Sequence, residues 1–270
     1  MFPLAGKSFP TSPQDLAAAI RKAMAEVISF PAKADPVRAE GGTWPSIDRV
    51  ALDLTGAMID PTKPPPAPPT LKGERQPGIK VGRLEVRGQP ILIGKSEVNL
   101  ALDGHNVGFD FARDAAGDAM LVLRDAKDGH VQVEAGKDDL QAMLRAAATT
   151  AGKPHGITIQ DLQLTLTSDG PRSIGVEARV KAKKMVMSGT VVVRGKADVD
   201  DQLVATLSNL ACTGEGMIGG MAAALVGSKL KAFEGKRVPL MAFSLGETKL
   251  RDVRISTGKT IRVNAEFGSA

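Results

Sequence analysis

The 270-residue sequence contains no tyrosine, one tryptophan and one cysteine, and aromatic residues make up only 3% of it. So few aromatic rings argue against a protein that binds single-stranded nucleic acid by base stacking. The single cysteine, Cys212, excludes an internal disulfide bond and suits a reducing compartment. No run approaches the roughly 18 apolar residues that a membrane-spanning helix needs.

The first ten residues also lack the basic and apolar regions of a secretion signal. We therefore expect a cytoplasmic or membrane-peripheral protein, or a cell-envelope protein if a leader has been removed. Hydrophobic residues make up 43% of the chain, which is enough for a sizeable core. With aromatics so scarce, that core must consist of Val, Ile, Leu, Met and Ala.

The net charge of +5 is concentrated in one segment. Between Arg172 and Lys196 there are seven basic residues and one acidic residue, Glu177. A solvated sheet face is the simpler interpretation, and contact with an anionic surface is the alternative.

The N-terminal third predicts one helix and one proline-rich loop. Ser12 can cap a helix that starts at Pro13, and Asp15 sits where a capping acid belongs. This helix is predicted over residues 13–30. Residues 61–78 are predicted to form an extended loop, because six of the nine residues from Pro61 to Pro69 are prolines.

Most of the remaining chain predicts β-strands separated by Gly-containing turns. Strands are expected at Ile47–Ile59, Lys80–Val86, Ile91–Leu102, Asn106–Ala112, Ala119–Arg124 and His130–Ala135. Turns are expected at Gly88–Pro90, Asp103–Gly104, Ala116–Asp118 and Asp128–Gly129. A second helix is predicted over Asp139–Thr150 with Asp138 as its cap, followed by strands Ile157–Thr167, Ile174–Lys184, Met185–Lys196 and Val199–Leu210.

The strand that begins at Ile174 alternates regularly between apolar and charged residues. Val176, Ala178, Val180 and Ala182 are expected to face a core. Arg179, Lys181 and Lys183 are then expected to share an exposed, basic face.

The segment Met217–Phe233 predicts a helix that is apolar almost all round and therefore buried. Its glycines and alanines permit close approach, and methionine gives an adaptable surface. Met217, Met221 and Leu225 share one face, which we expect to line an elongated apolar cavity.

No motif establishes a reaction. Gly214–Gly219 matches the GxGxxG dinucleotide fingerprint, but the strands before it alternate as antiparallel strands do, and too little chain follows for a doubly wound sheet. His105, His130 and His155 are scattered, without metal-ligand spacing. Asp138–Asp139 and Asp200–Asp201 are interpreted as a helix cap and a turn. We expect no catalytic residues, metal or cofactor.

From Val81 onward, the order of elements resembles the tubular lipid-binding (TULIP) superfamily. The residues that carry the resemblance are the strand Ile159–Leu166, the basic hairpin, the helix Met217–Phe233 and the strand Leu250–Ile255. The chain looks closest to a small bacterial branch of unknown function that includes a mycobacterial lipomannan elongation factor. The resemblance implies a strongly curved antiparallel sheet around a long helix, with an apolar groove for acyl chains. The missing export signal and the proline-rich insertion depart from that pattern.

The sequence therefore predicts a single α+β domain over residues 1–270, with a strongly curved, mostly antiparallel sheet wrapped around a long helix and two further helices. The predicted function is non-enzymatic binding or carriage of a lipid, with possible docking on anionic membranes and no nucleic-acid partner. The residues expected to contact lipid are Met217, Met221, Leu225, Met185, Met187 and Val180; those expected at the membrane surface are Arg179, Lys181 and Lys183. The alternatives are a scaffold protein with a filled core and, more remotely, dinucleotide binding through Gly214–Gly219. The oligomeric state is left open.

Overall fold

The computed structural model describes residues 1–61, 63, 69–240 and 246–269, without the side chains of Ile218, Ala222, Leu225 and Lys229. The described residues form two compact units, and the single-domain assignment stays a prediction. The first unit comprises residues 1–133, 246–252 and 264–269, and the second comprises residues 134–240 and 253–263.

A nine-stranded, mostly antiparallel sheet supplies the frame of the first unit. Its strands run in the order β13-β14-β7-β6-β5-β3-β2, with β1 beside β7 and β4 beside β5. Only the pairings of β5 with β3 and with β4 are parallel among the strand pairs of this sheet whose register is described. The bounds are β1 Phe2–Pro3, β2 Val37–Glu40, β3 Ser46–Asp53, β4 Met58–Ile59, β5 Leu71–Ile93, β6 Ser96–Asp114, β7 Ala119–Gly136, β13 Lys249–Thr257 and β14 Thr260–Gly268.

Helix α1 (Pro13–Ala25) packs on this sheet and forms the main hydrophobic core with it. The Ser12 side chain accepts a hydrogen bond from the Asp15 backbone N–H, which confirms the predicted helix start. Leu16 and Ile20 are buried on the inner face of α1. The helix ends at Ala25 rather than near residue 30, although Val27 and Ile28 still donate backbone hydrogen bonds to Met24.

The second unit contains a smaller antiparallel sheet and two helices. The sheet order is β12-β11-β10-β9-β8. Helix α2 lies against β8, and helix α3 lies against β10 and β11. The bounds are α2 Lys137–Gly152, β8 Thr158–Thr167, β9 Ser173–Lys184, β10 Met187–Val199, β11 Val204–Glu215, α3 Gly216–Lys231 and β12 Arg237–Pro239, with a short 3-10 turn at Lys153–His155.

Three predicted turns of the first sheet lie inside long strands instead. Asp103 and Gly104 pair with Glu85 and Leu84 within the β5–β6 ladder, and Asp128–Gly129 lies within β7. Gly88–Pro90 is a register shift within β5, not a hairpin. The turn predicted at residues 116–118 is confirmed between β6 and β7.

The α+β class and the mostly antiparallel pairing are confirmed, together with three helices in the described residues. The helix predicted over Met217–Phe233 is present as α3, with 16 residues, but a long helix wrapped by a strongly curved sheet is not confirmed. Asp138 is not the cap of α2, because Gly136 holds that position without a side-chain hydrogen bond. Residues 64–68 of the predicted proline-rich loop lie outside the described residues, and from Leu71 the chain is in strand β5.

Candidate lipid-binding surface

Large apolar side chains are exposed mainly on the second unit. The buried core cluster around α1 draws its members from the first unit, whereas the second unit buries only a few residues such as Leu162, Leu164 and Val191. Contiguous exposed apolar surface marks sites of protein, ligand or membrane contact more often than scattered residues do. The exposed apolar residues of the second unit are Leu144, Val176, Met185, Val186, Met187, Met217, Met221, Val226 and Phe233.

An open aliphatic groove of about 250 Å³ crosses one face of the second sheet. Strand alternation forms it, because Ala178 pairs with Val193 and Val176 pairs with Gly195 on that face. Leu230 of α3 reaches the same groove. Its lining consists of Ile174, Val176, Ala178, Val193, Arg194, Gly195, Lys196, Ala197, Leu207, Leu210 and Leu230.

Helix α3 is held very close to the sheet by glycine. A Cβ atom on Gly219 would lie 2.5 Å from the carbonyl oxygen of Thr190, and one on Gly189 would lie 2.4 Å from the Gly219 nitrogen. Gly227 continues this contact at Cys212. At 100° per residue, Gly219, Ala223, Gly227 and Leu230 form one stripe, which is the face that packs on the strands.

Met217 and Met221 lie on the opposite face of α3 and are 68% and 65% exposed. The prediction that this helix is buried on all sides is therefore wrong for its described side chains. At Gly219 the absence of a side chain leaves room for the sheet backbone and not for a ligand. The side chain of Leu225, the third residue of the predicted lining, lies outside the described residues.

The turn between β9 and β10 forms an apolar hairpin tip, which consists of Met185, Val186 and Met187. Met185 and Val186 are 81% and 93% exposed. Met185 has a positive φ of 54°, a conformation that glycine or asparagine adopts far more readily than methionine. The first turn of α3 lies beside this hairpin, because a Cβ on Gly216 would lie 2.9 Å from the Ser188 carbonyl oxygen.

The basic residues of β9 lie on the sheet face opposite the groove. Lys181 and Lys183 are exposed and have no ion-pair partner among the described residues. Arg179 is half-buried and lies 3.9 Å from Glu177, which also pairs with Arg194 at 2.6 Å. Val180 is half-buried on the groove face, between Leu162 and Val191, and is not among the residues that line the groove.

The predicted lipid-contact residues whose side chains are described lie on three parts of the second unit. Met185 and Met187 form the hairpin tip, Met217 and Met221 the outer face of α3, and Val180 part of the sheet face. Sequence reasoning missed Val193, Leu207, Leu210 and Leu230. The alternation of Val191, Val193, Gly195 and Ala197 along β10 was a usable signal for the groove.

The Gly214–Gly219 segment is tightly packed on itself and on the sheet. A Cβ on Gly214 would lie within 2 Å of the Gly219 carbonyl oxygen, and Gly214 itself lies in β11 and pairs antiparallel with Val191 of β10. A dinucleotide fold instead places its glycine loop after a strand of a parallel sheet.

The first unit carries charged networks instead of an apolar surface. Arg49, Glu85, Arg83 and Asp103 form a chain of ion pairs across β3, β5 and β6, and the Arg83 hydrogen bond lowers the pKa of Asp103. His105 lies between Asp103 and Asp128, at 3.4 and 2.7 Å. In the described part of the chain, no three His, Cys, Asp or Glu side chains are grouped to hold a metal ion.

The search against known proteins returned no matching family model, no matching curated protein and no matching solved structure. The TULIP resemblance therefore rests on the order of elements alone. Among the described helices, none combines the length and apolar character needed to cross a membrane.

Proposed function

We propose that this protein binds or carries a lipid at the membrane surface, with part of an acyl chain in the aliphatic groove and no catalytic step. The observation that carries the proposal is the groove itself. Apart from Arg194 and Lys196, its lining consists of aliphatic side chains and one glycine. Each CH₂ group removed from water there would contribute about 0.8 kcal/mol.

The size of the groove limits the ligand. Pockets that enclose a whole small molecule typically measure about 300–1,000 Å³. A groove of about 250 Å³ that is open to solvent accommodates a segment of one aliphatic chain. The rest of the lipid would stay in a membrane or in water, which favours shallow capture at a surface over enclosed transport.

The positive charge of the second unit indicates what kind of surface the protein would bind. The exposed Lys181 and Lys183 lie on the second unit, in a segment with a large basic excess, and would attract anionic headgroups. A TULIP-like relationship and a cytoplasmic or membrane-peripheral location are part of this proposal.

A scaffold role is the second candidate, and the close packing of α3 on the sheet favours it. At Gly219 the helix backbone lies close against β10, as a protein with a filled core requires. This close packing is at the N-terminal part of α3. The groove is lined by Leu230, which is near the C-terminal end of the helix.

Fatty-acid binding separates the two candidates. We expect the purified protein to bind a fluorescent long-chain fatty acid, and native mass spectrometry to detect retained lipid. Ala178→Phe together with Ala197→Phe fills the groove and should weaken fatty-acid binding at least tenfold. Val27→Phe adds similar bulk to an exposed site of the first unit and should not. Equal binding by all three proteins, or none by the parent, would favour the scaffold.

A further inference from the structure

We propose that the hairpin tip, with Met217 and Met221 of α3, inserts into the interfacial layer of an anionic lipid bilayer. This inference deepens the proposed function, on which it rests, by naming the element that enters the membrane. Four of the five side chains, those of Met185, Val186, Met217 and Met221, are the most exposed large apolar side chains among the described residues, and Met187 is 37% exposed. The tip and the first turn of α3 are neighbours, so one approach to a bilayer buries both.

The chemistry of the tip fits a lipid surface. Methionine and valine are flexible or aliphatic, and the tip has none of the Trp, Tyr or Arg residues that dominate protein–protein hot spots. Lys183 and Lys184 come directly before it in the chain and are exposed. Lysine can lay its aliphatic stem along acyl chains while its ammonium group reaches phosphate, so apolar and cationic groups would bind the same bilayer.

The backbone at Met185 adds an independent observation. A two-residue hairpin turn with a positive φ at its first position is normally occupied by glycine. Methionine at φ 54° therefore puts a large, 81% exposed apolar side chain where folding alone favours a smaller residue. Such outliers gather at functional sites, where the strain serves a purpose other than stability.

Vesicle sedimentation with matched variants tests the insertion. The parent is expected to bind vesicles of equal parts phosphatidylglycerol and phosphatidylcholine, and to bind pure phosphatidylcholine vesicles at least tenfold more weakly. Met185→Gly with Val186→Ser should reduce binding to the anionic vesicles at least tenfold. The fold should survive, because glycine adopts φ 54° without a steric penalty. Val27→Ser with Met58→Ser removes apolar side chains that are 48% and 50% exposed on the first unit, and should leave binding unchanged.

A depth probe gives a second readout. Cys212→Ala with Val186→Cys allows an environment-sensitive dye at the tip, whose emission should shift to the blue on anionic vesicles and be quenched by brominated lipid. The same dye at Val27→Cys should do neither.

The outcomes separate the inference from the proposed function. If the tip variant binds anionic vesicles as well as the parent, or if the dye at the tip stays in water, the insertion alone is overturned. A parent that ignores anionic vesicles overturns the insertion and the proposed membrane docking together. If the parent does not bind vesicles but self-associates, and the tip variant loses that self-association, the surface would be assigned to a second copy of this chain.

Discussion

Arg49 and Glu85 form an ion pair between two parallel strands, with Arg49 Nη2 2.6 Å from Glu85 Oε2. Glu85 is buried, and Arg83 lies 2.9 Å from its other carboxylate oxygen. The hydrogen bond from Arg49 is the largest influence that lowers the pKa of Glu85. The carboxylate thus links β3 and β5 through Arg49 and is also paired with Arg83 of its own strand.

This pair predicts an acid-dependent stability. Because the folded-state pKa of Glu85 is below its ordinary value of 4.5, its contribution is complete above about pH 4.5 and is lost as the pH falls through the folded-state pKa. Glu85→Gln should lower the urea midpoint at pH 7, and the difference from the parent should shrink on acidification below about pH 4.5. Glu74→Gln, at an exposed site of β5, should change little. A difference that stays constant with pH would contradict the ion-pair explanation.

The core beneath α1 predicts a large cavity effect. Leu16 has no exposed surface and packs in the main hydrophobic cluster. Leu16→Ala should lower the free energy of unfolding by about 2–5 kcal/mol, as large-to-small substitutions in cores do. Val27→Ala, at an exposed position, should change it by no more than about 0.5 kcal/mol. Urea unfolding measures both, and a small loss for Leu16→Ala would show that this core is poorly packed.

Two adjacent glycines of α3 predict opposite effects of the same substitution. Gly219→Ala places a methyl group against the Thr190 carbonyl oxygen, so the helix must shift, at a typical overpacking cost of about 1–3 kcal/mol. Gly220→Ala points into open space and should stabilise the helix by about 0.5–1 kcal/mol. Hydrogen exchange of residues 216–231 should speed up in the first variant and slow down in the second. Equal behaviour would mean that α3 does not rest on its glycine stripe.

The glycines that approach the sheet also predict that the protein does not bind dinucleotides. Gly214 and Gly219 face each other and the strands, which leaves their backbone unsuited to cradle a pyrophosphate. Calorimetric titration with NAD, NADP and FAD should show no micromolar binding. Heat of binding that disappears in Gly216→Ala would reinstate the fingerprint interpretation.

The basic face of β9 predicts salt-sensitive membrane binding. Near an anionic surface each basic residue contributes about 1 kcal/mol, and the attraction falls off within a Debye length of about 8 Å at physiological salt. Replacing Arg179, Lys181 and Lys183 with glutamine should reduce binding to anionic vesicles at low salt and leave fatty-acid binding unchanged. We expect the smallest share from Arg179, which is near Glu177. Lys33→Gln with Lys72→Gln and Lys95→Gln, at exposed sites of the first unit, removes the same number of positive charges and is the matched control. If the triple variant binds anionic vesicles as well as the parent does, this face is only a solvated surface.

Local signals predicted the fold well wherever one residue decides a local geometry. Ser12 and Pro13 gave the start of α1, and the alternation from Ile174 gave β9 within one residue at the N-terminal end. Glycines inside strands misled the prediction. Gly129 suggested a turn, but a Cβ there would lie 2.5 Å from the Phe267 ring, so the residue makes room for an aromatic side chain far away in sequence.

The candidate site was harder to predict because hydrophobic periodicity does not show which apolar face of a helix packs against the sheet. In α3 the glycine and alanine stripe packs on the sheet, whereas Met217 and Met221 face outward. The sequence named the exposed methionines but placed them in a cavity. The groove residues Leu207, Leu210 and Leu230 come together only through the pairing of strands and the packing of α3 back onto the sheet. No single segment of the sequence encodes that arrangement.

The exposed methionines give this surface a chemical vulnerability. Oxidation of a thioether to the sulfoxide turns an apolar side chain into a polar one, and methionine sulfoxide reductases reverse the change. Met185, Met217 and Met221 are open to oxidants, whereas Met24 and Met120 are shielded in the first unit. In the free protein, mild peroxide would modify these three methionines together with the exposed Met1 and Met58, well before Met24 and Met120. The oxidised protein would then bind the bilayer more weakly while it stays folded.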